Sequence, residues 1–240
     1  MSGSLDGNAW SPEDGPRPVV TLDAQSRSAF VTRTYLHLYG AIVAFTLIEA
    51  FLFATGLARA IAVAMLGTSW LLVLGGFIVV SWIATHIAHR AESLAAQYAA
   101  LLGYVVGEAI VFVPLLFVAQ YYAPGTIESA ALVTLVGFGL LTAVAMWARQ
   151  DLSFLGTVLP WAFGVALLLI VSGAVFGFQL GPMFSVAMVG LAGAAILYDT
   201  SNVLHHYPED RYVGASLELF ASVALMFWYV LRLFLASSED

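Results

Sequence analysis

The feature that most constrains this chain is where its charges are missing. No Asp, Glu, Lys or Arg occurs between Arg59 and Arg90, between Glu108 and Glu128, between Glu128 and Arg149, or between Asp151 and Asp199. A helix crosses the hydrocarbon core of a bilayer with ~20 mostly apolar residues, so each gap is one or two spans long. Soluble domains are roughly 45–50% apolar and about 25% charged. At 61% apolar and 10% charged, this chain reads instead as a polytopic membrane protein built of α-helices.

Two absent residue types remove whole classes of chemistry. There is no cysteine, and all eight basic residues are arginine. Disulfide frameworks, thiolate metal sites and cysteine nucleophiles are thereby excluded. So are retinal Schiff bases, pyridoxal phosphate sites and P-loop lysines. The net charge of −7 argues against a nucleic-acid partner.

Residues 1–28 are rich in Gly, Ser, Pro and Asp and have no apolar period, which predicts a disordered tail. They lack the basic start and short apolar core of a signal peptide, so the first span is expected to act as the insertion signal. A seven-span transmembrane domain is predicted over 29–236, followed by a short C-terminal tail, 237–240. The spans run roughly Thr34–Gly56, Thr68–His89, Ala96–Gln120, Ile127–Trp147, Leu152–Val175, Leu180–Tyr198 and Tyr212–Leu235. Spans five and six come from one uncharged stretch, cut at Gly177 to Pro182, the one plausible turn in it. Pro114 and Pro160 fall inside spans, where neighbouring helices can re-satisfy the freed carbonyls.

Orientation follows from the arginines. Arg17, Arg27, Arg33, Arg90, Arg149 and Arg211 fall on the N-terminal side of the seven spans, and Arg59 and Arg232 on the other. The positive-inside rule then puts the N-terminus in the cytoplasm and the C-terminus outside.

An ionisable residue inside a span is a candidate for function, because burying its charge in lipid costs several kcal/mol. Four carboxylates qualify: Glu49, Glu108, Asp199 and Glu218. At about 1.5 Å per residue, Glu49 lies ~22 Å and Glu108 ~18 Å from the inner starts of their spans, whereas Glu218 lies ~9 Å in. Asp199, like His86 and His89, ends its span near the cytoplasmic face. Acidic layers of this kind line cation pathways. Glu49 and Glu108 are expected to face the bundle interior, with Gln97 and Tyr104 on the same stripe as Glu108. Glu218, Ser222, Leu225, Tyr229 and Arg232 share one face of the last span, so that span is expected to be central. His86 is a candidate pH-responsive group. His205-His206 with Glu209 and Asp210 reads as a solvated turn, and no metal site is expected. Enzyme signatures are incomplete. Tyr198-Asp199 has no second aspartate in a Gly-x-Gly-Asp setting on the next span, and Val171-Ser172-Gly173 lacks the first glycine of a Gly-x-Ser-Gly element. No catalysis is expected.

Ala195-Ile196-Leu197-Tyr198-Asp199-Thr200, a polar loop, and Tyr212-Val213-Gly214-Ala215-Ser216-Leu217 leading to Leu231-Arg232 resemble the end of the Bax inhibitor (transmembrane BAX inhibitor motif) family. Arg33-Thr34-Tyr35, a Pro114-bearing third span and Arg149-Gln150-Asp151-Leu152-Ser153 agree with it. The resemblance covers about 28–236 and implies six helices around a central seventh, in a bacterial inner membrane. It also implies a calcium or cation leak, as channel or carrier, governed by pH through an aspartate pair on spans six and seven. Calcium is then the transported ion, and no cofactor is expected. Asp199 matches the first aspartate. The second position, counted back from Arg232 without a gap, is Ser222. Glu218, one turn earlier on the same face, is the expected substitute, paired with Asp199 across the 18-residue segment between them. Two carboxylates in contact cannot both ionise cheaply, so such a pair would titrate as one coupled unit. For some bacterial members the resemblance implies a different role: a non-conducting regulator that binds a membrane protease or another membrane protein. The N-terminal tail and Ser237-Ser238-Glu239-Asp240 are the candidate docking segments.

Overall fold

Asp23 starts the helical body. Its carboxylate accepts the backbone N–H groups of Gln25 and Ser26 at 2.9 and 3.0 Å and the Ser26 hydroxyl at 2.7 Å, satisfying donors that a helix start leaves without partners. The Ser26 N–H above all holds the Asp23 carboxyl below its ordinary range. These contacts belong to a computed structural model that describes residues 18–90, 93–148 and 151–238. Most of the expected tail, Arg149-Gln150 and the docking candidates Glu239 and Asp240 lie outside the described residues.

Helix α1 runs Ala24–Ala54, so it begins well before Thr34. A single 3-10 turn, Val19–Thr21, precedes it. Val19 is fully buried, and its N–H donates to the Tyr207 carbonyl at 2.9 Å. Residues 18–28, which composition assigns to a disordered tail, therefore dock on the bundle. A low average hydropathy hides what one cap and one buried valine can do.

Gly56, at φ +78°, takes the left-handed conformation open to glycine and turns the chain into α2, Leu57–Leu66. This helix is too short to span and lies in the connection between the first two spans. It lays Ala58 and Ala62 against Val113 of α4. The remaining helices are α3 (Trp70–Arg90), α4 (Leu94–Tyr122), α5 (Thr126–Ala148), α6 (Leu155–Phe176), α7 (Pro182–His205) and α8 (Tyr212–Ser237). Among the described residues, seven of these eight helices, all but α2, are long and apolar enough to cross a membrane. Among the described residues the fold is all-helical, with one isolated bridge between Pro18 and Pro208.

Gly177 ends α6 at φ +75° and Pro182 opens α7, where the turn was expected. Helix α7 then continues to His205, past the predicted stop at Tyr198. Asp199, Thr200 and Ser201 are polar but buried inside it, and Ser201 Oγ accepts the Leu152 N–H at 3.0 Å. A polar run reads as a loop until neighbouring helices cover it. Asp199 is consequently set ~9 Å back from the end of α7.

Helix α8 is the central helix. It packs along α1, α3, α4, α5 and α7. The sixth surrounding span, α6, closes the ring through α7 and α3, and its backbone stands off from α8. Lipid tails supply no hydrophobic drive between helices, so small residues that let backbones approach carry much of the packing. Gly214 of α8 faces the backbone of Ala88 in α3. A Cβ at that glycine would lie 3.1 Å from the Ala88 carbonyl oxygen and 3.5 Å from its carbon. Gly214→Val is expected to push α3 off α8 and cost about 1–3 kcal/mol, read as a lowered thermal midpoint in detergent. An unchanged midpoint would mean that the two helices re-seat without strain.

Candidate functional site

The gap between α6 and α8 is a cavity of about 1070 Å³, walled by α3, α4, α6, α7 and α8. The whole predicted stripe of α8 lines it: Glu218, Ser222, Leu225, Tyr229 and Arg232. A polar stripe on an apolar helix has to face protein or solvent-filled space, and here it faces the one side on which α8 has no close helix neighbour.

Asp199 lies on the opposite wall, 7% exposed. Its Oδ2 accepts the Ser222 hydroxyl at 2.5 Å. The residue touching Asp199 is thus the one at the position counted back from Arg232, rather than the expected substitute one turn earlier. Glu218 also lines the cavity, but its carboxyl is engaged elsewhere. Oε1 meets His89 Nε2 at 2.8 Å, and Oε2 accepts the Tyr207 hydroxyl. His89 Nε2 lies 3.1 Å from that same hydroxyl, which closes a three-way contact between α3, the α7–α8 loop and α8. Burial pushes the Tyr207 hydroxyl well above its ordinary range, and the Glu218 charge adds to this, so Tyr207 remains a donor near neutral pH.

The expected Asp199–Glu218 contact is therefore replaced by two separate pairings side by side. The reason is depth. Glu218 lies one turn, ~6 Å along α8, closer to the loop than Ser222, and at that level its neighbours are Tyr207 and the end of α3. The Gly214–Ala88 approach brings His89 within reach. His86, the histidine singled out from sequence, is exposed and lies beside Trp82, with ring centroids 5.5 Å apart. The interior partner is His89, one turn further along α3. The preference for His86 had no spacing behind it, whereas the small pair Ala88 and Gly214 was a usable signal. Tyr207, an aromatic residue inside a polar loop, was another.

Glu108 is 6% exposed, lines the cavity and accepts the Tyr104 hydroxyl at 2.9 Å. Gln97 and Tyr104 are buried on the same face of α4. Glu49 is also buried but is not among the cavity-lining residues, and neither of its carboxyl oxygens has a hydrogen-bond partner among the described residues. Tyr198 seats its ring on Gly156 of α6, where a Cβ would come within 2.8 Å of the hydroxyl.

The loop histidines go to different partners. His205 Nδ1 meets the Ser201 carbonyl at 2.9 Å, while His206 lies 3.3 Å from Asp151. The Ser153 N–H, helped by His206, holds the Asp151 carboxyl below its ordinary range. Asp210 pairs with Arg211 at 3.4 Å.

What this arrangement offers chemically is a mostly apolar chamber with three carboxyl groups along its walls and a guanidinium at its far end. Asp199, Glu218 and Ser222 are near the start of α8, Glu108 faces in from α4, and Arg232 is ~21 Å along the helix from Glu218.

The chain matches the family described as inhibitor of apoptosis-promoting Bax1 over residues 27–239. It is similar to the BI1-like protein of Arabidopsis thaliana, 35% identical over 113 residues, which are 43% of each chain. It is also similar to Protein LIFEGUARD 4 of the same plant, 32% identical over 120 residues, covering 46% of this chain and 47% of that one. Similarity to the Modulator of FtsH protease YccA of Escherichia coli (strain K12) is 29% over 147 residues, 60% of this chain and 63% of that one. The chain thus spans about half the length of the two plant relatives it matches.

Proposed function

The chain belongs to the Bax inhibitor family of multi-pass membrane proteins, and we propose that it is a pH-influenced calcium or cation leak, working as a channel or carrier in a bacterial inner membrane. The observation that carries this reading is the cavity beside α8 with the carboxyls of Asp199, Glu218 and Glu108 on its walls. Carboxylates at membrane depth lower the cost of bringing a cation out of water.

The pH influence enters at the inner end. His89 of α3, Tyr207 of the loop and Glu218 of α8 tie three elements together. Asp199 of α7 and Arg211, just before α8, are the other charged groups acting on this cluster. A protonated imidazole holds Glu218 more firmly than a neutral one, and histidine changes charge between about pH 5 and 8. Rising pH should loosen the tie, free Glu218 and let α3 and α8 separate at that end. Calcium influx into proteoliposomes of the purified full chain, followed with an entrapped dye, tests this. Influx above that of protein-free vesicles, rising with pH and losing most of that rise in His89→Gln, is the expected result. Influx equal to that of empty vesicles at every pH would overturn it.

A second reading, a non-conducting regulator of a membrane protease, is favoured by the similarity to the Escherichia coli protein named as a modulator of the FtsH protease. It becomes the leading one if the flux assay is negative and the tagged chain co-purifies with a membrane protease from its own membranes.

In the orientation proposed, the N-terminus, the α3–α4 turn and the α7–α8 loop face the cytoplasm. Arg27, Arg33, Arg90 and Arg211 lie at that end of the bundle, with Arg59 and Arg232 toward the other. Reporter fusions should place the N-terminus inside and the C-terminus outside; both on one side would refute it.

A further inference from the structure

Among the described residues, Arg232 is the one basic residue on the cavity wall. Its guanidinium carbon lies 5.8 Å from the centroid of the Tyr229 ring on the same helix, and among the described residues it forms no ion pair. A half-buried guanidinium that faces a mostly apolar cavity and has no carboxylate partner among the described residues can take an anionic group from a ligand. The walls between it and the Asp199–Glu218 end are mostly apolar and aromatic, with Phe77, Phe112, Leu159, Phe163, Leu225 and Trp228 among them; Glu108 also faces in, its carboxyl accepting the Tyr104 hydroxyl. Trp228 stacks on Trp70 at 5.9 Å beside the arginine end.

We propose that this cavity binds one long-chain fatty acid, with its carboxylate on Arg232 and its tail lying between α6 and α8. Charge sets the orientation. At the opposite end Asp199 and Glu218 offer an anionic head no cation, and their carboxyls are already bonded to Ser222, His89 and Tyr207. Length agrees as well: Arg232 and Glu218 are ~21 Å apart along α8, and the acyl chains of one leaflet occupy about 15 Å, half of the hydrocarbon thickness. The cavity volume, about 1070 Å³, is just above the roughly 300–1,000 Å³ typical of small-molecule sites. One guanidinium matches one carboxylate in a bidentate pair. The inference does not require that the protein conduct ions.

Native mass spectrometry of the delipidated full chain with oleic acid tests it, with methyl oleate and dioleoyl phosphatidylglycerol as parallel probes. Oleate should saturate at one copy per chain. Methyl oleate, which has the tail and no charge, should bind about tenfold or more weakly, as should oleate to Arg232→Gln, because each lacks the charge-assisted pair. Arg232→Lys should retain part of the affinity. Leu225→Trp, which leaves the arginine and fills the middle of the cavity, should exclude oleate; it keeps the test decisive if Arg232→Gln fails to fold. Absence of a saturable oleate adduct would overturn the proposal. Equal binding of oleate and methyl oleate would do so too, since that is partition into an apolar surface. A single phosphatidylglycerol that depends on Arg232 and displaces oleate would identify a two-chain lipid as the occupant and equally refute the assignment.

Discussion

Replacing Asp199 with asparagine should lower calcium influx into proteoliposomes on the order of tenfold, the effect of losing roughly 1.4 kcal/mol of favourable interaction with the ion. The substitution removes the ionisable carboxyl on the cavity wall and keeps the shape. An asparagine carbonyl still accepts the Ser222 hydroxyl that now meets Asp199 at 2.5 Å, so the fold should survive. Ser222→Ala tests the other half of the contact. It removes the donor, leaves a buried acceptor unpaired and should reduce stability by about 1–3 kcal/mol, while influx at a temperature where the variant is folded stays near that of the wild type. Influx through Asp199→Asn equal to the wild type would place Asp199 outside the ion path. Equal losses in both variants would instead show that the hydrogen bond matters and the charge does not.

Glu49→Leu should make the protein more stable. Both carboxyl oxygens of Glu49 are buried and without a hydrogen-bond partner among the described residues, and a buried polar group left unpaired costs about 1–3 kcal/mol. Leucine has a similar volume and nothing to satisfy. Thermal unfolding in detergent should move upward by several degrees, with little change in influx, because Glu49 does not line the cavity. A lowered midpoint would show that Glu49 has an essential partner. A loss of influx would return Glu49 to the ion path, where its depth along the first span first suggested placing it.

Much of this architecture can be read from the chain alone because a bilayer imposes one-dimensional rules. The charge-free gaps count the spans, since an unpaired charge in hydrocarbon is costly over any stretch of ~20 residues. The turn at Gly177 to Pro182 follows from backbone chemistry that cannot continue a helix. The stripe from Glu218 to Arg232 follows from helical periodicity, which puts those five residues on one face whatever lies opposite. A count back from Arg232 is enough to single out Ser222, and the structure sets that residue against Asp199.

What periodicity cannot supply is how neighbouring helices are rotated and offset along their axes. Glu218 was expected to meet Asp199, and it meets His89 and Tyr207. The partner at each level is decided by which helix is adjacent at that depth, and that rests on the close approach of Gly214 to Ala88. Helix α2 escaped a span-length criterion because ten residues cannot cross a bilayer, yet they can cover the side of α4. The docking of Val19 and the extension of α7 past Tyr198 also depend on neighbours that cover polar or isolated apolar residues. The cavity is decided by tertiary structure alone: the α6 backbone lies close to α7 and α3 and stands off from α8, and no local pattern states which of six surrounding helices will stand off from the seventh.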